Sequence, residues 1–147
     1  LGEQAVCVEQ MTAKACRKEL QKIRETIGTV TEEPGVFFRI PGGEYNNEVL
    51  RTIYACGSYP VAWSVDSMDW KEYEAGELVR QLLQSCTIRD GEILRFHGEG
   101  ENTGEMVKLL HPRLKEEGYE AVTVSQMVYK DRYRMTTDGR QIPEKSK

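Results

Sequence analysis

Three residues with the side chains of acid–base and anion-binding sites stand at or directly after the ends of short apolar runs. They are Arg39, Asp66 and His97. A histidine titrates close to physiological pH, and a neighbouring carboxylate favours its charged form, so a His–Asp pair can act as a general acid. An arginine at the same place can hold a carboxylate or another anion through two parallel hydrogen bonds. The three residues together predict a site for proton transfer.

A second carboxylate, Asp69, and an indole, Trp70, follow Asp66 closely. Trp70 could form an apolar wall for a sugar ring, or it could simply belong to the core. His97 could equally hydrogen-bond the loop after its own strand, and Arg39 could form a salt bridge to a neighbouring loop. The residues alone leave these alternatives open.

Short strands that alternate with helices must position these side chains. Residues 36–40, 61–65 and 93–96 form short runs rich in β-branched and aromatic residues, as buried strands do. Two further strands are predicted over residues 5–8 and 121–124. Strand–helix alternation predicts a parallel sheet with right-handed crossovers, and the carboxyl ends of such strands are where ligands bind.

Amphipathic helices are predicted between the strands, over residues 12–27, 46–57, 77–83 and 103–118, with a short helix near the end. The residues expected to cap helices are Thr12, Asn46, Thr103 and Ser125. Pro112 lies inside the fourth helix and should kink it.

The composition argues against several function classes. The 147 residues suffice for about one domain, and the net charge of −4, without a basic stripe among aromatics, gives no case for nucleic-acid binding. No apolar run approaches the ~20 residues of a membrane span. The four cysteines form no CxxC motif and are expected to be buried thiols. The chain begins with Leu1, so we expect further sequence upstream.

Four segments, in order, resemble motifs of the polysaccharide deacetylases, the NodB homology family of carbohydrate esterases. FFRIPGGEYN resembles their R-x-P-Y/G-G segment, and WSVDSMDW resembles their D-x-x-D-W motif. ILRFHGEGENT resembles their L-x-H motif, and EEGYEAVTVSQMV is similar to their closing segment. The match corresponds to the C-terminal half of a family member.

The resemblance implies an α/β fold of a particular kind, an incomplete or opened (β/α) barrel with about five parallel strands. It implies hydrolysis of N- or O-acetyl groups on sugars. In the family, a divalent metal such as zinc, held by one Asp and two His, activates a water, and a neighbouring Asp acts as base. The arginine matching Arg39 orients that base, and the histidine matching His97 protonates the leaving group.

The resemblance also assigns the remaining site residues. An Asp of the motif over residues 66–70 tunes His97, and we favour Asp66 over Asp69 because Asp66 ends its strand as His97 does. Trp70 is expected to line the substrate groove. Pro41 and Gly42, which follow Arg39 in its motif, complete the expected substrate-binding set.

The departures from the family pattern concern the metal and the base. The T-F-D-D segment that supplies the base and the metal-binding Asp is absent, and Cys7 stands where the first metal-binding His belongs. We therefore expect no metal site within this chain and no hydrolysis by it.

Three hypotheses follow: part of a deacetylase, a non-catalytic carbohydrate-binding or structural relative, and an open α/β interaction module. The expected partner is an acetylated carbohydrate, and a second copy is expected to cover the open sheet edges. The resemblance suggests an extracellular or cell-envelope location. Residues 1–130 are expected to form the partial deacetylase-like domain and residues 131–147 a polar tail.

Overall fold

The computed structural model of the protein describes residues 12–30, 37–98 and 100–144, apart from the side chain of Pro41. They fall into two compact units, which we call the first unit, ending at Trp63, and the second unit, beginning at Ser64. The helices are α1 (Ala13–Gly28), α2 (Asn47–Ala55), α3 (Ala75–Ser85), α4 (Thr103–Glu116) and α5 (Val124–Met127), with a 3-10 turn over Pro41–Gly43. The strands are β1 (Phe37–Arg39), β2 (Tyr59–Val61), β3 (Val65–Asp66), β4 (Leu94–Arg95), β5 (Tyr133–Met135) and β6 (Gln141–Pro143).

In the first unit, β1 and β2 pair in parallel, with Arg39 opposite Val61. The two predicted caps are confirmed: Thr12 accepts a hydrogen bond from an amide of α1, and Asn46 accepts one from an amide of α2. Helices α1 and α2 pack against each other. The buried core of this unit consists of Cys16, Leu20, Ile40, Val49 and Ile53.

In the second unit, β3 and β4 pair in parallel, with Val65 opposite Leu94 and Asp66 opposite Arg95. Helix α3 packs against α4. The inward-facing residues of both helices form a buried core with β3, namely Val65, Ala75, Leu78, Val79, Leu82, Met106 and Leu110. Because the pair is parallel, the ends of β3 and β4 deliver Asp66 and His97 to the same edge.

The predicted α/β class agrees with these parallel pairs and interleaved helices, but two strand predictions differ from the structure. The single strand expected over residues 61–65 is divided into β2 and β3. The amides of Ser64 and Val65 both donate to the carbonyl of Ile93, at 3.0 and 3.2 Å. Two residues around the start of β3 therefore lie opposite one residue just before β4. Such a two-against-one arrangement interrupts a regular ladder.

Residues 121–124 form no strand. Thr123 instead is the N-cap of α5, and its backbone amide donates to the side chain of Gln126 at 3.0 Å, as in a capping box. That capping box replaces the predicted cap at Ser125. Helix α4 likewise starts one residue earlier than predicted, since Asn102 is its N-cap and Thr103 its first residue. The strand predicted over residues 5–8 lies outside the described residues.

The C-terminal segment predicted as a polar tail contains an antiparallel hairpin, in which β5 pairs with β6. Its turn is closed by the amide of Thr136 donating to the carbonyl of Arg140 at 2.9 Å. Arg140 also contacts the nearly buried Glu92 carboxylate at 3.3 Å. The hairpin was missed because its strands are only three residues long, too short to display the alternation of a half-buried strand. Within the described parts of the chain, no helix is long and apolar enough to cross a membrane.

Candidate functional site

Asp69 and His97 form the centre of the candidate site in the second unit. The Nδ1 atom of His97 lies 2.6 Å from Oδ1 of Asp69, and the backbone amide of His97 donates to both carboxylate oxygens at 3.1 and 3.0 Å. Asp69 is 1% exposed, whereas the side chain of His97 is 22% exposed. The pair therefore has a buried anchor and an imidazole that reaches the surface.

Two hydroxyl groups also donate to the Asp69 carboxylate. The Ser67 hydroxyl donates to Oδ1 at 3.0 Å, and the Thr103 hydroxyl donates to Oδ2. Burial by itself raises the pKa of Asp69, but the hydrogen bonds from Thr103, His97 and Ser67 outweigh it and hold that pKa well below its usual range. Asp69 is therefore an ionised acceptor at neutral pH.

The local turn after β3 explains why Asp69 occupies this position. Asp66 accepts a hydrogen bond from the amide of Met68 at 2.9 Å, and Met68 adopts a left-handed conformation with φ 55°. This turn brings Asp69 back beneath the end of β4. Gly100 packs directly against the backbone carbonyl of Asp69, where any Cβ atom would collide. Only glycine lets the loop between β4 and α4 approach so closely.

Asp66 lies on the other side of the imidazole. Its Oδ2 atom is 3.9 Å from Nε2 of His97 and 3.5 Å from a guanidinium nitrogen of Arg95. Both separations exceed a hydrogen bond. Our preference for Asp66 as the partner of His97 was therefore wrong, because the carboxylate of Asp66 caps the turn while that turn carries Asp69 to Nδ1.

Trp70 lies beside His97 and outside the core. The two rings meet edge to face, with centroids 6.4 Å apart, and 57% of Trp70 is exposed. The ammonium of Lys71 lies 5.8 Å from the indole centroid. An exposed indole beside a partly exposed imidazole can contact the apolar face of a ligand.

The other three predicted residues belong to the first unit. Arg39 ends β1 with an exposed side chain, and Pro41 and Gly42 open the 3-10 turn that follows it. Gly42 has φ 74°, a conformation that favours glycine. The placement of these residues in one site with His97 stays a prediction.

Sequence reasoning missed the roles of Ser67 and Thr103. Thr103 was interpreted only as a helix cap, and Ser67 was not singled out. The available signal was the position of a hydroxyl residue two places before Asp69, from which a short turn can return to the carboxylate.

The described residues contain no group of three or more His, Cys, Asp and Glu side chains that could hold a metal ion. They therefore do not fit the divalent metal that the family resemblance implies.

The second unit thus places a histidine–aspartate pair after the carboxyl ends of two parallel strands, as α/β proteins place their binding sites. No family model matches the chain. It is 31% identical over 121 residues to peptidoglycan-N-acetylglucosamine deacetylase PgdA of Listeria monocytogenes, across 80% of this chain and 25% of that protein. It is 32% identical over 102 residues to a peptidoglycan-N-acetylglucosamine deacetylase of Bacillus cereus, across 66% of this chain and 46% of that protein.

Solved structures share the same fold. A carbohydrate esterase family 4 pseudoenzyme from Bacillus anthracis matches with a TM-score of 0.75 and 24% identity, over 86% of this chain and 45% of the other. A mutant described as a pseudoenzyme with restored enzymatic activity matches with the same TM-score and 25% identity. The chain belongs to the polysaccharide deacetylase family. It spans between a quarter and a half of the length of the two curated relatives named above.

Proposed function

We propose that this chain carries the acid half of a polysaccharide deacetylase site and binds acetylated carbohydrate there. The observation that supports this most is the buried Asp69 carboxylate 2.6 Å from Nδ1 of a partly exposed His97. A general acid needs one nitrogen held by the protein and another available to the substrate; here Asp69 holds Nδ1 while the imidazole stays partly exposed.

The proton chemistry follows from that arrangement. When an acetyl C–N or C–O bond breaks, the leaving amine or alkoxide must gain a proton. His97 would donate it from Nε2, while its Nδ1–H stays hydrogen-bonded to Asp69. The ionised carboxylate stabilises the imidazolium form that precedes the transfer, so Asp69 maintains the acid without giving up its own charge.

The remaining residues have supporting roles in this proposal. Trp70 forms a wall for the sugar or acetyl group, as its exposed indole edge-on to His97 suggests. Arg39 would orient a base, and Pro41 and Gly42 would line the groove. The fold would be the opened (β/α) barrel that the family resemblance implies.

The metal and base of the family reaction form the other half of the site. We propose that this chain does not hydrolyse acetylated sugars, because the sequence lacks the T-F-D-D segment that would supply the base and a metal-binding Asp.

Acetate release tests this proposal directly. We expect no acetate from acetylated chito-oligosaccharides or peptidoglycan incubated with the full chain, with or without added zinc. Zinc-dependent release that disappears in His97→Ala would show a complete site and overturn the proposed inactivity. A family member with the T-F-D-D segment serves as the positive control.

A second candidate function is carbohydrate binding without catalysis. The similarity to a family 4 pseudoenzyme favours it, since that fold exists in an inactive form. Binding of acetylated chito-oligosaccharide without acetate release supports this candidate. Failure to bind any acetylated sugar would instead favour an interaction module in which the Asp69–His97 pair is purely structural.

A further inference from the structure

The carboxylate of Asp69 accepts hydrogen bonds from other residues besides His97. Four donor groups point at its two oxygens: the hydroxyls of Ser67 and Thr103, and the ring Nδ1 and backbone amide of His97. A carboxylate has about four lone-pair sites, so this one is close to saturated. Its orientation is therefore set by the surrounding protein.

We propose that Ser67 and Thr103 are positioning residues, whose hydroxyls fix the Asp69 carboxylate so that His97 keeps a proton on Nδ1 and presents Nε2 to a substrate. The proton placement stands on the geometry of the second unit. Only the role of Nε2 toward a substrate rests on the proposed deacetylase function.

Ser67 contributes a hydroxyl with a single orientation. Ser67 is 2% exposed. Its hydroxyl donates to Oδ1 of Asp69 at 3.0 Å and accepts a hydrogen bond from the backbone amide of Asp69 at 3.3 Å. Both the donor and the acceptor function are thus used on one neighbour. The hydroxyl cannot rotate without losing one of the two hydrogen bonds.

Thr103 holds the other oxygen from a different element. It is the first residue of α4, and its hydroxyl donates to Oδ2 of Asp69. Because Ser67 holds Oδ1 from the turn after β3, rotating the carboxylate about its last side-chain torsion would break both hydroxyl contacts. The carboxylate plane is therefore fixed between β3 and α4.

The fixed plane determines the tautomer of His97. An ionised carboxylate only accepts hydrogen bonds, so the nitrogen 2.6 Å from Oδ1 must carry a proton. An imidazole without such an acceptor favours the proton on Nε2 in water. Loosening Asp69 should therefore move the neutral ring toward the Nε2–H form.

Substituting Ser67 or Thr103 leaves the charged side chains around the ring chemically unchanged. Asp66 lies 3.9 Å from Nε2, and Arg95 lies 3.5 Å from Asp66. The ammonium of Lys71 lies 5.8 Å from the indole centroid of Trp70, whose ring meets His97 edge-on. A change in tautomer on removing a hydroxyl can then be attributed to Asp69.

The experiment follows the ring nitrogens of His97 by long-range proton–nitrogen NMR of the full chain across a pH series. The sequence has two histidines, so His111→Gln assigns the signals, and the exposed His111 serves as an internal reference. Thr103→Val and Ser67→Ala each remove one hydroxyl, whereas Thr103→Ser keeps it. We expect the Nδ1–H tautomer in the unchanged chain and in Thr103→Ser, and a shift toward Nε2–H in the other two variants.

Folded Thr103→Val and Ser67→Ala variants that retain the unchanged tautomer would overturn the proposal. If Thr103→Val fails to fold, the comparison of Ser67→Ala with Thr103→Ser decides it, since only the former should shift. The readout needs no substrate, so failure of the proposed deacetylase function would appear in the sugar assays and leave this result unaffected.

Discussion

At Asp69, burial and hydrogen bonding act on one carboxylate in opposite directions, and the hydrogen bonds win. Because its pKa is lowered by folding, the ionised group stabilises the protein above the unfolded pKa of about 3.9. That stabilisation is lost as pH falls below about 4 toward the lower pKa of the folded protein. Acid unfolding should therefore depend strongly on this residue.

Asp69→Asn tests this dependence. At neutral pH we expect it to lower the free energy of unfolding by about 3 kcal/mol, because several donors lose a charged acceptor and meet an amide. The difference from the unchanged chain should shrink as pH falls below about 4, since the unchanged Asp69 is then increasingly protonated. Urea unfolding at pH 7, 5 and 3 measures this, with the exposed Asp90→Asn as control.

A loss of stability in Asp69→Asn that is equal at all three pH values would contradict the ionised, hydrogen-bonded carboxylate. The control should stay within about 0.5 kcal/mol of the unchanged chain throughout, as exposed substitutions usually do.

Trp70 provides a separate test of carbohydrate binding. Since its indole is more than half exposed beside His97, Trp70→Ala should weaken binding of acetylated chito-oligosaccharide by roughly tenfold while leaving stability nearly unchanged. Trp70→Phe keeps an aromatic face and should retain most of the affinity. Isothermal titration calorimetry measures both. Equal affinities of the unchanged chain and Trp70→Ala would exclude the indole as a sugar contact.

The residue types of the Asp69–His97 site were predictable from sequence, but their pairing was not. Both carboxylates of the D-x-x-D-W motif were candidates, and strand position favoured Asp66. What decided the pairing was a left-handed turn at Met68, which sequence rules do not anticipate for a non-glycine residue. The contacts of Thr103 and Asp69 span 34 positions and likewise depend on tertiary packing.

Among the structural elements, the turn after β1 needs a glycine at position 43. Gly43 has φ 82°, and a Cβ atom there would lie 2.5 Å from the ring of Trp63. Gly43→Ala should therefore lower the free energy of unfolding by at least about 1–2 kcal/mol from the left-handed backbone alone. Thermal or urea unfolding measures the change.

Gly28→Ala is the matched control for that substitution. Gly28 ends α1 in the same unit, has no atom within 4 Å of its added Cβ and has no positive φ. Alanine there should be neutral or stabilising by up to about 1 kcal/mol. If both variants changed stability equally, the packing of Trp63 on Gly43 would not be the cause.

Helices were predicted more accurately than strands for a physical reason. The apolar periodicity of α1 to α4 extends over 9 to 16 residues, and the caps at Thr12 and Asn46 are local. The strands are two or three residues long, too short to display a period. Whether residues 61–65 form one strand or two depended on contacts with Ile93, which only the folded chain reveals.

At the scale of the whole molecule, the strand edges set the expected oligomeric state. Among the described residues, each sheet has only two strands, so each strand has one edge that is not hydrogen-bonded to another strand. Beside β4, an apolar groove of about 630 Å³ includes Phe96, Val107 and Val122 in its lining. Val107 and Val122 are 44% and 48% exposed. Open edges and apolar faces of this kind favour association.

We predict a homodimer that covers this apolar groove in solution. Light scattering coupled to size-exclusion chromatography should give twice the 16.8 kDa mass of one chain. Val107→Lys should shift the population toward monomer, because it would place a charge in the apolar contact, whereas Glu105→Gln changes the net charge equally on the same helix and should not. A strictly monomeric chain at all concentrations would contradict the prediction. A dimer that is unaffected by Val107→Lys would show that the interface lies on a face other than this groove.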